Sequence, residues 1–215
     1  FKSKITQRYQ LIVFQKTFGK GKLSQPFSTA TMLYEFAREL DSSEFAVEKE
    51  GSFVLQAAKY GVPIFLDSAS NHSLGMDFSL VALERNFTSD PSPSKDIHQA
   101  AALSLYNQPQ LNVFLGEGGP RNFIQTTAPT ASEIFAIPFE GSEGCIRFTT
   151  ANEQTGGLSG STGSEAVSWG KYRDASAARD IVVWGEYTLT APDVITYVAG
   201  KTQRIKHPRI MEKLY

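Results

Sequence analysis

At 215 residues the chain suits one domain with a sizeable core, and a net charge of −1 with 20% charged residues leaves no electrostatic footprint for nucleic acid. The lone Cys145 excludes a disulfide framework and a CxxC metal site, and His72, His98 and His207 show no metal-ligand spacing, so no metal is expected and a reducing cytoplasm fits. Apolar runs reach only about five residues against the ~20 that a membrane helix needs, and no signal peptide is visible.

The predicted elements alternate. Residues 11–14 read as a strand, and residues 29–40 as an amphipathic helix with Leu33, Phe36, Ala37 and Leu40 at helical spacing. A second helix covers 52–60 and ends at Gly61, then 62–66 reads as a short apolar strand. Residues 74–83 are predicted helical, 86–95 a proline-bearing loop, and 96–106 a helix. A strand over 111–115 enters a glycine turn at Gly116. Residues 121–135 are mostly helical with a break near Pro129. Strands follow at 146–149 and 181–184, with a helix over 192–199. Apolar strands alternating with helices predict an α/β fold: a buried, largely parallel sheet with helices on both faces. The basic clusters at 16–22 and 201–209 read as solvated tails rather than a binding stripe.

In open α/β sheets, ligands sit beyond the carboxyl ends of the strands. Three loops occupy such positions: 67–75, 116–122 and 150–161. The last runs through Gly156, Gly157, Leu158, Ser159 and Gly160 into Thr162-x-x-Glu165, which has the form of a capping box and predicts a helix starting near Gly163. Glu165 and Trp169 then share a face, and Lys171 falls at the helix end. A carboxylate, an indole and an amine so close together suit the handling of a cationic amine: pairing, stacking and imine formation. The same run also reads as a glycine loop before an ordinary capped helix, with Trp169 a core aromatic and Lys171 a surface lysine. In the turn Gly116-Glu117-Gly118-Gly119, glycines let backbone approach a ligand, and a following helix would offer N–H groups to phosphate; a plain β–α turn explains it as well.

The stretch Glu165-Ala166-Val167-Ser168-Trp169-Gly170-Lys171 resembles the catalytic signature of deoxyhypusine synthase. The run from Thr155 to Glu165 is more similar to the bacterial deoxyhypusine synthase-like branch. Gly61-Val62-Pro63-Ile64-Phe65, Ser73-Leu74-Gly75-Met76 and Leu115-Gly116-Glu117-Gly118-Gly119-Pro120-Arg121-Asn122-Phe123 resemble further segments in the right order, so the likeness covers about residues 28–200. It implies a Rossmann-like three-layer fold over 28–200, preceded by an N-terminal segment over 1–27 and followed by a C-terminal tail over 201–215. The chain opens on Phe1 rather than Met, and members of the resembled family carry another nucleotide-binding segment upstream, so the N-terminal segment is expected to be incomplete.

The resemblance implies an NAD-dependent aminobutyl transferase acting on a polyamine such as spermidine, with Lys171 taking the aminobutyl group as an imine. It places Glu165, Trp169, Gly156, Gly157, Leu158, Asn122 and Met76 at the substrate. It places Asn71, Gly116, Glu117, Gly118, Thr150, Ala151, Glu186 and Tyr187 at NAD. Some positions depart from the pattern. Met76 and Leu158 stand where the synthases proper hold spermidine with carboxylates. Asn122 replaces a histidine and Asn71 an aspartate, Glu117 stands in place of a glycine, and Glu186 stands for an aspartate. These departures fit a different amine substrate, with a small diamine or agmatine as the expected acceptor if the source is bacterial, or a silent paralogue that binds NAD or assembles with an active subunit. The resemblance also implies a homotetramer. With few carboxylates visible near Lys171, acids for a cationic substrate are expected from a second subunit or an upstream segment.

Overall fold

The computed structural model describes residues 26–41, 48–68, 72, 75, 76, 79, 83, 91–116, 118–173, 179–203 and 206–214. The predicted strand at 11–14 lies outside them. The chain divides into two compact units: residues 1–96 with 206–215, and residues 97–205.

In the first unit, α1 (Thr29–Asp41) packs on α2 (Phe53–Tyr60). The apolar stripe Ala30, Met32, Leu33, Phe36 and Ala37 is buried on α1, and Leu55 on α2. Ser52 caps α2, its hydroxyl accepting from Leu55 N–H. Gly61 ends the helix: its N–H donates to Ala58 O and that of Val62 to Ala57 O. Residues 62–66 were expected as a strand, but they join no ladder in the described structure. Pro63 has no N–H to offer, and the Leu66 N–H goes to Thr29 Oγ1. Of the segment 74–83, the described residues Gly75, Met76, Ser79 and Leu83 are helical. The next helix, α3 (Pro93–Tyr106), has its first turn in this unit and the rest in the second; it starts three residues earlier than the reading from Asp96, because proline suits a first helical turn. Asp96 is buried; its carboxylate accepts from Thr29 N–H and Thr29 Oγ1, and desolvation raises its pKa to about 6. The C-terminal helix α8 (Met211–Leu214) belongs to this unit, with Met211 buried and its N–H donating to Gly61 O.

The second unit is built on three parallel strands in the order β1 (Leu111–Leu115), β2 (Gly144–Thr149), β3 (Arg179–Trp184). Leu111 pairs with Gly144 and Gly144 with Arg179. The connections carry α4 (Gly119–Gln125), α5 (Thr127–Pro129) and a π segment (Thr130–Ile134) after β1, then α6 (Gly163–Ser168) after β2. After β3 comes α7 (Tyr187–Lys201), five residues earlier than predicted at its start, with Glu186 as its cap. One sheet face is buried. Phe114 and Cys145 there pack with Ala166 and Tyr172, and Ile124 and Val167 close over them.

The other face is covered in part, less than the sequence pattern suggested: Phe148, the register partner of Leu115, is buried there on the central strand, while the flanking strands are open. Leu111, Val113, Leu115 and Ile181 are exposed there. Continuous apolar character reports what a strand could bury, not what lies over it. Leu111, Val113 and Leu115 alternate with buried Asn112 and Phe114, the period of a strand with one covered face. Among the described residues, no helix is long and apolar enough to cross a membrane.

Candidate active site

The second unit carries a cavity of about 820 Å³ bordered by Asn122, Glu165, Trp169 and Lys171. Its wall is assembled from local sequence signals. Thr162 caps α6, its hydroxyl accepting from Glu165 N–H at 3.1 Å. The helix is shorter than the spacing implied and stops at Ser168. Trp169 is the C-cap, and Gly170 follows at φ 65°, a left-handed conformation that a glycine adopts without a Cβ clash. The Gly170 N–H donates to Val167 O and the Lys171 N–H to Ala166 O. This paired closure is a Schellman motif, and it puts Lys171 just past the helix end. The next residue holds the turn down: Tyr172 is buried, and its hydroxyl accepts from Gln125 Nε2 at 2.6 Å.

The Lys171 amine donates to Asn122 Oδ1 at 3.0 Å and lies 5.8 Å from the Trp169 ring centre. Its pKa is lowered, first by burial and then by the charge of Arg121; Glu165 opposes the shift. A half-buried amine next to a guanidinium loses its proton more readily than a free lysine, the state a nucleophile needs. Trp169 is 65% exposed, not a core aromatic, and Glu165 is also exposed.

Two buried arginines hold the glycine loop. Arg121, 1% exposed, donates to Leu158 O at 3.3 Å and to Ser161 O at 3.0 Å. Arg147 on β2 donates to Asp180 Oδ1 at 2.8 Å and Oδ2 at 3.1 Å, and reaches Ser161 O at 3.5 Å. Gly163 packs so closely on Asp180 that a Cβ would stand 2.9 Å from its carboxylate. The start of α6 is therefore fixed to strands β2 and β3.

A second cavity, about 240 Å³, lies at the carboxyl ends of the strands and is bordered by Gly116, Thr150, Ala151, Ser159, Glu186 and Tyr187. Gly116 has φ 77°, and a Cβ there would meet the Tyr187 ring at 3.4 Å. Gly118 adjoins the loop, with Ser159 Oγ 3.8 Å from where its Cβ would be. The Glu186 carboxylate is engaged at the start of α7, accepting from Thr188 N–H at 3.0 Å and from the Thr188 hydroxyl.

Of the residues expected at a substrate, Asn122, Gly157, Leu158, Glu165, Trp169 and Lys171 border one cavity. Gly156 is in the same loop and is exposed. Met76 belongs to the first unit, with its side chain 66% exposed. Of those expected at a cofactor, Gly116, Thr150, Ala151, Glu186 and Tyr187 border the second cavity, and Gly118 lies near it through Ser159. Asn71 and Glu117 lie outside the described residues. The sequence reading missed Arg121 and Arg147 as loop clamps, and it missed Glu133, which borders the Lys171 cavity from the π segment. Acids in this cavity are thus not confined to Glu165. The break at Pro129 was the one signal near Glu133.

A family model described as deoxyhypusine synthase matches residues 4–198. The chain belongs to the deoxyhypusine synthase family. The Deoxyhypusine synthase-like protein of Nostoc punctiforme is 34% identical over 208 residues, which cover 94% of this chain and 50% of that protein. A protein of the same name from Nostoc sp. is 32% identical over 207 residues, 94% of this chain and 50% of its own length. The Probable deoxyhypusine synthase 2 of Methanosarcina mazei is 32% identical over 179 residues, 83% of this chain and 50% of its own length. The chain thus spans about half the length of these curated relatives. The deoxyhypusine synthase family is one of transferases that use NAD.

Proposed function

We propose that the chain carries the lysine half of an NAD-dependent aminoalkyl transferase acting on a polyamine, within a Rossmann-like three-layer fold. One observation carries the reading: the Lys171 amine is half-buried in a cavity of about 820 Å³, with its pKa lowered, beside an indole and a carboxylate. NAD, when bound, takes up and returns the hydride that interconverts amine and imine. The strand-end cavity suits a portion of that dinucleotide. Gly116 brings backbone close to the ligand space, and Tyr187 offers a ring beside it.

In this reading Asn122 orients the Lys171 amine through the 3.0 Å hydrogen bond. The neutral amine attacks the imine carbon of an oxidised donor, and the donor's remaining amine leaves with the proton. The aminoalkyl group is then held as an imine on Lys171 until an acceptor amine displaces it by the same exchange. Trp169 stacks on a substrate ammonium, a contact of roughly 0.5–2 kcal/mol, and Glu165 pairs with it. A homotetramer remains part of the proposal.

A catalytically silent paralogue is the competing reading. It draws on Leu158, 49% exposed at a position where the resembled synthases hold spermidine with a carboxylate. Borohydride trapping separates the two. Full-length protein incubated with NAD and spermidine, then reduced, gains an aminobutyl adduct that maps to Lys171. Lys171→Ala shows no adduct, keeps its thermal midpoint and loses transfer by at least about 10³-fold. An unmodified Lys171 under saturating NAD and a range of polyamines supports the silent paralogue.

A further inference from the structure

The Lys171 cavity has a second carboxylate that the signature does not contain. Glu133 borders it from the π segment, opposite in sequence origin to Glu165 on α6. The segment closes with Phe135 N–H donating to Thr130 O, five residues back, and Ala136 follows at φ 53°. Non-glycine residues rarely adopt that conformation, and π turns gather at functional sites. An i→i−5 turn holds one residue more than an α turn, so Glu133 leaves the axis in a different direction than an α continuation would give. Its carboxylate comes to 4.0 Å from the position of a Cβ on Gly170, over the turn that carries Trp169 and Lys171.

Most hydroxyls on this wall are already committed. Thr126 Oγ1 donates to Phe123 O, Thr130 Oγ1 to Thr126 O and Ser168 Oγ to Glu165 O. Among the described lining residues Lys171 is the one cation, and its nucleophilic form is neutral. In that form the wall presents Glu133 and Glu165 as two negative charges with no internal partner in the lining. A ligand with a single ammonium would leave one carboxylate uncompensated as the cavity fills, and a partly desolvated charge without a partner is costly.

We propose that Glu133 is a specificity-determining residue of this site: with Glu165 it binds the two cationic ends of an extended diamine and so selects dications over monoamines. This rests on the amine-transfer reading of the cavity. The position is legible only in three dimensions, since Glu133 stands 32 residues before Glu165 and no motif includes it.

The test compares 1,4-diaminobutane with n-butylamine, which has the same carbon chain and one charge fewer. Each is titrated calorimetrically into full-length wild type, Glu133→Gln and Glu133→Asp, with thermal midpoints as the fold control. Losing one charge-assisted contact should weaken diamine binding by about tenfold or more. The diamine-to-monoamine affinity ratio should fall by a similar factor in Glu133→Gln and recover in part in Glu133→Asp. Equal weakening of both amines, or of neither, overturns the role of Glu133. If Lys171 is trapped as an imine while this ratio is unmoved, the transferase reading stands and Glu133 alone is refuted. If wild type binds neither amine, the role of Glu133 is refuted, and if spermidine with NAD also leaves Lys171 untrapped, both fall.

Discussion

The Lys171 cavity is walled by charged and aromatic side chains, whereas the strand-end cavity, apart from Phe148, Glu186 and Tyr187, is walled by backbone and small residues. Asn122, Glu133, Glu165, Trp169 and Lys171 give the first its charge and its aromatic face. Gly116, Gly185, Thr150 and Ala151 give the second little beyond peptide groups and space. The supports differ accordingly. Side chains at the first are aimed by caps, a Schellman turn and two buried arginines. The second is shaped by where three parallel strands end together. A side-chain wall can discriminate charge and length; a backbone wall favours a close-lying ligand whose recognition rests on shape and peptide hydrogen bonds.

If that contrast holds, substitutions at the two cavities fail in different ways. Among residues that support the site without reacting, the largest effect is expected from Arg121→Met. It leaves the carbonyls of Leu158 and Ser161 without this donor and removes the charge that lowers the Lys171 pKa. Misplacing the loop should cut kcat/KM by about 10²-fold, the size of loss a shift of ~1 Å produces. The pH profile tells more. Transfer requires neutral Lys171, so the rate rises with pH through the pKa of that amine. A lowered pKa places the rise at lower pH than for a free lysine. Removing the positive neighbour raises the pKa and moves the rise to higher pH. Arg121→Lys keeps the charge but not the two-carbonyl reach, so it should lower kcat/KM with a smaller displacement of the profile. A profile unmoved by either variant would show that burial alone tunes Lys171.

Gly116→Ala addresses the backbone-walled cavity. At φ 77° an alanine is strained by about 1–2 kcal/mol, and its Cβ would add a contact with the Tyr187 ring at 3.4 Å. Weaker NAD binding is expected, with amine affinity preserved, and titrating each ligand into the full-length variant checks both. Loss of amine affinity to the same degree would mean that the two cavities are not separately built.

The smallest effect belongs to Thr162→Ala. It deletes the cap on Glu165 N–H and should cost about 1 kcal/mol in a urea titration. Thr162→Ser should restore most of that. A variant as stable as wild type would show that the arginine clamps, not the cap, set the start of α6.

Local signals were legible where neighbours in sequence are neighbours in space. The spacing in Thr162-x-x-Glu165 located the start of α6 because a cap acts within one turn. The stripe on α1 and the glycine that ends α2 were readable for the same reason. The extent of α6 was not, since a glycine just before Lys171 and a tryptophan that tolerates exposure do not by themselves announce a helix end. The tertiary structure decided that Lys171 sits beyond the helix, in a turn anchored by Tyr172 and Gln125. Residues 62–66 lost their predicted strand to a proline and to a hydrogen bond with Thr29, 37 positions away from Leu66. Likewise β1 looked fully buried, but half of it is not, because coverage depends on elements far along the chain. The sequence by itself determined the family, the parallel α/β character and the lysine-bearing signature, all carried by short-range pattern. Only the tertiary structure brought Glu133 and Glu165 to one cavity and the buried arginines to the glycine loop, since those placements close over many residues and leave no period or spacing to read.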